Sequence, residues 1–108
     1  MDKDKAYILH ILDEIENIAK FLMGMDYVTF IGDTKTSKAV ERSLEIIGEA
    51  AKNLSEEFKE KNKQIPWRDV AGLRDKITHH YFDIDYQTIW DIVQKNLPEL
   101  KEVLTKYK

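Results

Sequence analysis

The strongest constraint on the fold is the spacing of apolar residues, which recur at steps of three and four along most of the chain. This period places them on one stripe of an α-helix, and no segment alternates apolar and polar residues as a half-buried strand does. The pattern predicts an all-α fold in which four main helices, joined by short connections, pack as an up-and-down antiparallel bundle. The four stripes are Ile8, Ile11, Leu12, Ile15, Ile18, Ala19, Leu22 and Met25; Val40, Leu44, Ile47, Ala51, Leu54 and Phe58; Trp67, Val70, Leu73 and Ile77; and Tyr86, Ile89, Trp90, Val93, Leu97, Leu100 and Leu104.

The connection between the first two helices interrupts this period. Gly24 ends the first stripe, and the polar and aromatic segment 26–33 has room for at most a turn or a short helix. The second helix then needs a side chain that accepts a hydrogen bond from its first free N–H groups. The candidates for this N-cap are Thr34, Thr36 and Ser37.

Later boundaries follow from glycine, serine and proline. Gly48 lies inside the second helix, where glycine costs about 1 kcal/mol relative to alanine, so it predicts a close helix contact. Ser55 can cap a fresh turn, which leaves open whether the second helix breaks there, and segment 59–64 is predicted to be a linker. Segment 82–85 is predicted to cap the last helix, and Pro98 to kink it, because proline cannot donate to residue 94.

The length of 108 residues favours one hydrophobic core and therefore one domain over residues 1–108. No segment has the roughly 20 apolar residues of a membrane span, and no signal-peptide pattern stands at the start. We therefore expect a cytoplasmic protein with no membrane contact. The chain has no cysteine, which excludes disulfides, thiolate zinc sites and cysteine nucleophiles.

Charge is unevenly distributed along the chain. The net charge is −3, so the molecule lacks the strongly basic balance of a non-specific nucleic-acid binder. Segment 59–76, however, contains six basic and three acidic residues. Such a run is either an ordinary solvated face or part of an anion-binding surface, and charge alone leaves both open.

The most chemically specific segment is 74–81, Arg-Asp-Lys-Ile-Thr-His-His-Tyr. His79 and His80 point about 100° apart on a helix, so they do not readily share a metal, and no serine or aspartate is placed to complete a triad with either. On an ideal helix Arg74 lies about 20° from Tyr81 but about 140° from His79. The three converge only if the helix distorts or ends near His79, or if a second subunit completes the site. An arginine paired with a nearby acid, followed by a histidine at a helix end, explains the same residues without function.

A wider set of residues resembles a known family. Arg74-x4-His79-x-Tyr81 matches the Arg-x4-His-x-Tyr signature of the HepT-like branch of the HEPN superfamily, small helical ribonucleases of prokaryotic toxin–antitoxin pairs. Other segments resemble the second helix of that branch, its approach to the motif, and its last helix. These segments are 40–50, 65–74, 79–82, Trp90 and 97–100.

The resemblance implies a metal-independent endoribonuclease toxin that cleaves cellular RNA and needs no cofactor. In that family role Arg74 and His79 are catalytic, and Tyr81 and Lys76 contact the substrate. Tyr81 is also the expected acceptor of AMP from an MntA-like minimal nucleotidyltransferase antitoxin, which neutralises the toxin. Sites of the family lie between two subunits, so a homodimer with the site at its cleft is expected. The alternatives are a non-catalytic nucleotide- or partner-binding subunit of a nucleotidyltransferase complex, and a plain helical assembly protein.

Overall fold

The computed structural model describes residues 2–79 and 83–108, and almost all of its regular structure is helical. This confirms the all-α prediction, to which the structure adds two short strands. None of the described helices is long and apolar enough to cross a membrane. In chain order the elements are α1 (Asp2–Phe21), α2 (Tyr27–Ile31), α3 (Thr34–Lys52), α4 (Glu56–Lys61), α5 (Trp67–Ala71), α6 (Leu73–Ile77), β1 (Thr78–His79), β2 (Asp83–Ile84), α7 (Tyr86–Asp91), a π-helical segment (Ile92–Asn96) and α8 (Leu97–Thr105).

α3 is the central helix of this arrangement. It packs against α1, α5 and α6, and α1 also contacts α8. The apolar stripes predicted from the sequence meet at these contacts, and the buried side chains form one cluster. Ala19 departs from the predicted first stripe, since it is exposed. The buried residues of α1 and α3 include Ile8, Ile11, Ile15, Ile18, Val40, Leu44, Ile47 and Ala51.

Segment 26–33 contributes a short helix, α2, and its main anchor is one aromatic side chain. Asp26 caps α2 by accepting a hydrogen bond at 2.8 Å from the backbone N–H of the third residue after it. Phe30 is completely buried. Its ring centroid lies 6.1 Å from that of Tyr86 and 5.5 Å from that of Trp90. These contacts fix α2 against the first turns of α7.

The N-cap of α3 differs from the prediction. Asp33 is the cap, because its Oδ1 accepts a hydrogen bond from the N–H of Thr36 at 3.1 Å. Thr34 begins the helix, and the hydroxyl of Ser37 donates to the C=O of Thr34 at 3.0 Å. A carboxylate one residue earlier fills the cap position and also interacts favourably with the positive end of the helix dipole, which a hydroxyl does not.

The second predicted helix breaks at Ser55, one of the two outcomes that the sequence left open. The Oγ of Ser55 accepts a hydrogen bond from the N–H of Phe58 at 3.1 Å and caps α4. The first half of segment 59–64 is therefore helical, and the prediction of a linker there is wrong. Asp4 in α1 holds this helix start, since its Oδ1 accepts from the N–H of Ser55 at 2.8 Å and its Oδ2 from the Ser55 hydroxyl at 2.6 Å.

The third predicted helix is shorter than its apolar period indicated. It divides at Gly72 into α5 and α6, and α6 ends at Ile77. Thr78 then adopts an extended backbone with φ −115° and ψ 119°. The angle calculated between Arg74 and His79 on an ideal helix therefore does not apply, and the face predicted for Tyr81 concerns a residue outside those that the structure describes.

Two short strands follow α6 where the sequence predicted further turns of helix, and they form a small hairpin. β1 pairs antiparallel with β2 in the register Thr78 to Ile84 and His79 to Asp83. The N–H of Asp85 donates to the C=O of Ile77 at 2.8 Å, which joins the end of the hairpin to the end of α6. These pairings use backbone groups that a longer helix would have used.

The last helical run begins as predicted, and it is interrupted by a π-helical segment just before Pro98. Asp85 caps α7 by accepting a hydrogen bond from the N–H of Thr88 at 3.0 Å. Pro98 lies in the first turn of α8, directly after the π-helical segment. Within that segment the N–H of Leu97 donates to the C=O of Ile92, five residues back. The wider π turn accommodates a proline that has no N–H for residue 94.

The contact between Asp4 and Ser55 yields a prediction about stability. Burial opposes ionisation of Asp4, but the hydrogen bonds from the Ser55 hydroxyl and N–H outweigh it and hold the pKa of Asp4 below its ordinary value of 3.8. An aspartate whose pKa falls on folding stabilises the folded state above its unfolded pKa, and this contribution is lost as the pH falls through the folded pKa. We expect Asp4→Ala to lower the free energy of unfolding by about 1–3 kcal/mol near neutral pH.

Urea unfolding of Asp4→Ala and wild type at neutral pH and below pH 3.8 measures this effect. The exposed Asp13 provides the control, and Asp13→Asn should match wild type at both pH values. A deficit in Asp4→Ala that stays constant below the ordinary pKa would contradict the assigned cause.

Candidate functional site

Arg74 lies on α6 and points largely into solvent, with 78% of its side chain exposed. Its Nε lies 3.7 Å from Oε2 of Glu45 on α3, and the Glu45 side chain is 32% exposed. An ion pair this open to water contributes little to stability, about 0–1 kcal/mol. The guanidinium is therefore restrained by Glu45 but remains available to another anion.

Gly48 explains why α3 and the motif helices come this close. A Cβ at Gly48 would stand 3.1 Å from the carbonyl oxygen of Val70 and 3.3 Å from that of Ala71. Both atoms belong to the backbone of α5, just before the break at Gly72, so they cannot rotate away as a side chain would. The close helix contact predicted at Gly48 is confirmed.

The structure describes only part of the predicted motif. His79 lies in β1, where its backbone pairs with Asp83. The side chain of His79 and the whole of His80 and Tyr81 lie outside the described residues. The helix ends at Ile77, which meets one of the conditions under which Arg74 and His79 can converge.

A shallow depression, here called the motif depression, lies between α3, α6 and the hairpin. Glu41 and Glu45 lie on the α3 side of this depression. Burial is the main cause that raises the pKa of Glu41, repulsion from Glu45 adds to it, and attraction to Lys38 partly offsets the rise. Sequence reasoning missed both carboxylates, although their spacing of four residues places them on one helix face. The residues that line the depression include Glu41, Glu45, Arg74, Asp75, Thr78 and Ile84.

Lys76, predicted to contact the substrate, lies on a different surface from Arg74. Its Nζ is 3.6 Å from Oδ2 of Asp69, and both side chains are about half exposed. Lys76 lines a cleft between α5, α6 and α8 together with Leu97. Residues two apart on a helix point about 160° apart, so the structure does not bring Lys76 to the motif depression.

Among residues 2–79 and 83–108, no group of three or more histidine, aspartate or glutamate side chains is placed to hold a metal ion. What the described residues offer instead is one exposed arginine, opposed by carboxylates, five residues before a histidine.

The helical bundle, with an arginine on a short helix that ends just before the motif histidine, defines a small helical domain of the HEPN class. The family model described as Ribonuclease HepT-like matches residues 11–107. The chain therefore belongs to the HepT-like ribonuclease family. No solved structure shows a significant match to it.

Curated relatives extend along nearly the whole chain. A candidate RNase of Caldanaerobacter subterraneus is 44% identical over the full length of both chains. A candidate RNase of Methanocaldococcus jannaschii is 49% identical over 92% of this chain and 83% of its own. A candidate ribonuclease HepT of Thermococcus cleftensis is 41% identical over 96% of this chain and 94% of its own.

Proposed function

We propose that this protein is a metal-independent endoribonuclease toxin that cleaves cellular RNA with Arg74 and His79. The observation that carries the proposal is local. Arg74 stands exposed on α6, and the helix ends at Ile77, so the chain turns before His79 instead of carrying it round the helix. Family membership and the RNase names of the relatives support the same activity.

The proposed reaction needs two kinds of group. A histidine with a pKa near neutrality can take the proton of the ribose 2′-OH or protonate the leaving 5′-oxygen. The 2′-oxygen then attacks phosphorus as the bond to the 5′-oxygen breaks. Arg74 can hold two phosphate oxygens at once and stabilise the charge that develops while phosphorus is five-coordinate.

Two further residues have supporting roles in the proposal. Tyr81 contacts the substrate beside the scissile phosphate. Lys76 acts only through its charge at longer range, because it already pairs with Asp69 and lies on another face. We also propose a homodimer with the sites at its cleft, on the basis of the family resemblance. The end of α6 at Ile77 means that the second subunit is not needed simply to correct a helical angle.

Control of the activity is the last part of the proposal. The partner is an MntA-like minimal nucleotidyltransferase antitoxin that transfers AMP to the hydroxyl of Tyr81. The attached phosphodiester brings an anion and a bulky nucleoside to the place of the substrate phosphate, so it would occupy Arg74 and exclude RNA.

His79→Ala should abolish RNA cleavage and leave the helical content unchanged, because the proposed role of His79 is proton transfer and not packing. His80→Ala is the matched control and should retain activity. Cleavage of cellular RNA with and without EDTA, together with circular dichroism, measures both properties. Equal loss in the two variants, or loss of fold in either, would overturn the assignment of His79.

Arg74→Lys should reduce cleavage by about 10²-fold or more, because an ammonium group cannot reproduce a planar two-pronged contact with phosphate. Its thermal stability should match wild type, since the ion pair with Glu45 is exposed. Lys76→Arg is the control for a general change of cation. Wild-type rates in Arg74→Lys would show that only a positive charge is required at this position.

Tyr81→Phe should escape modification and remain active when the nucleotidyltransferase is present, since it lacks the hydroxyl that accepts AMP. Wild type co-expressed with that partner should gain the mass of AMP on the peptide containing Tyr81 and lose its activity. Mass spectrometry and an RNA cleavage assay provide the readouts. An unmodified but fully inhibited wild type in a tight complex would replace this mechanism with steric occlusion. Wild type that binds a nucleotide without cleaving any RNA would favour the non-catalytic alternative.

A further inference from the structure

The motif depression alone is a poor site for a polyanion. Among the residues that the structure describes, Arg74 is the one cation that lines it, and the acidic side chains of Glu41, Glu45 and Asp75 line the same surface. Burial, and then repulsion from the neighbouring Glu45 carboxylate, raises the pKa of Glu41 at this surface. A strand of RNA bound there must therefore obtain much of its electrostatic attraction from another surface.

A more basic surface lies near the contact between α3 and α5, which we call the seam, at the end away from the motif depression. A depression there is lined by four cations and two carboxylates, and we call it the basic furrow. Its charged residues are Lys52, Lys59, Lys63, Arg68, Glu56 and Glu60. A central depression continues from the basic furrow, with which it shares Lys52 and Ala71, to Arg74 at the motif. The three depressions form one continuous surface along the seam.

The cations of the basic furrow are available for a ligand to different degrees. Arg68 is exposed and has no ion-pair partner among the residues the structure describes. Lys63 pairs with Glu60 at 3.2 Å, but both side chains are 73% exposed, so a phosphate can replace that carboxylate at little cost. Lys59 is less available, because only 19% of its side chain is exposed.

The walls of the basic furrow offer charge but no stacking platform. Trp67 is 9% exposed, and its indole N–H donates to the C=O of Asn62 at 3.0 Å. Ile65 is likewise buried. Bases therefore have no open aromatic face to stack on, and recognition here rests on phosphates.

The surface is also long enough for several nucleotides. Arg42, in the central depression, and Lys52, which also lines the basic furrow, are both on α3 and ten residues apart. Ten residues of α-helix span about 15 Å. Phosphates of a stacked strand follow one another at about 3.4 Å along the axis, so this stretch alone matches about four of them.

We propose that the basic furrow binds the backbone of single-stranded RNA away from the scissile phosphate, through Lys63 and Arg68 and without sequence preference. The proposal rests on the proposed ribonuclease function and adds to it a second contact region. The motif depression then performs the chemistry, while the basic furrow supplies affinity that depends on salt.

The test compares two double variants with the same change in net charge. Lys63→Glu with Arg68→Glu alters the basic furrow, whereas Lys101→Glu with Lys106→Glu alters exposed positions in and just after α8 that line none of the three depressions. Binding of fluorescein-labelled oligouridylates of about 20 and about 4 nucleotides is followed by anisotropy over a series of salt concentrations. Cleavage of total cellular RNA is measured in parallel.

The furrow variant should bind the long oligouridylate about tenfold or more weakly than the control variant. The slope of its log affinity against log salt should be shallower by about 1.4, for two lost contacts at about 0.7 each. The short oligouridylate should bind wild type more weakly than the long one, because it reaches fewer of the cations along the seam. Equal affinity of the two variants for the long probe, or no binding by wild type, would overturn the proposal.

Two outcomes distinguish failure of this proposal from failure of the proposed ribonuclease function. Wild type that binds the long probe through the furrow but cleaves no RNA would contradict the ribonuclease and leave the binding surface standing. A furrow variant with normal RNA affinity that no longer forms a complex with the nucleotidyltransferase would assign the surface to a protein partner instead.

Discussion

The architecture around the motif depends on the absence of one side chain, at Gly48. With no Cβ there, α3 lies against the last carbonyl groups of α5, at distances that any other residue would have to enlarge. That approach sets Glu45, one turn earlier on α3, opposite Arg74 on α6. The same close contact forms the floor of the seam along which the motif and the basic residues of α4 and α5 lie. Gly48 weakens α3 as a helix, but the absence of a side chain there determines how closely α3 and α5 can meet.

Most of the fold follows from local information, and the exceptions have physical reasons. Apolar period identifies the helices because burial of a stripe is the main source of their stability. The apolar period does not identify where a helix ends because its backbone groups form hydrogen bonds with another segment. α6 ends at Ile77 because residues 78 and 79 pair with 83 and 84, and a pairing so short leaves no alternating pattern in the sequence. The cap at Asp33 was missed for a similar reason, since three hydroxyl residues follow it and each is a plausible cap.

The sequence singled out residues of the candidate site where a residue type has few uses, and it gave no signal where three-dimensional packing decides. An arginine at a fixed spacing from a histidine is compatible with only a few kinds of chemistry. A glycine inside a helix, such as Gly48, indicates a close contact with another element. Glu41 and Glu45 carry no such signal, because acids on a helix surface are common and only the packing of α3 against α6 gives these two a role. The position of Lys76 was likewise open in the sequence, because only the fold shows that it pairs with Asp69 and lies on a different face of α6 from Arg74.

The carboxylates around Arg74 have a consequence for a nuclease. Tight binding of a substrate phosphate in its ground state lowers the Michaelis constant without increasing the turnover rate. If Arg74 binds the substrate phosphate as proposed, it exchanges the Glu45 carboxylate for another anion and therefore gains little in the ground state. Its advantage grows when charge accumulates on phosphorus oxygens in the transition state, where a dianionic group outcompetes a carboxylate. Affinity for the strand can then come from cations placed farther along the seam. In the proposed mechanism this separation would allow the motif to favour the transition state while a second surface retains the RNA.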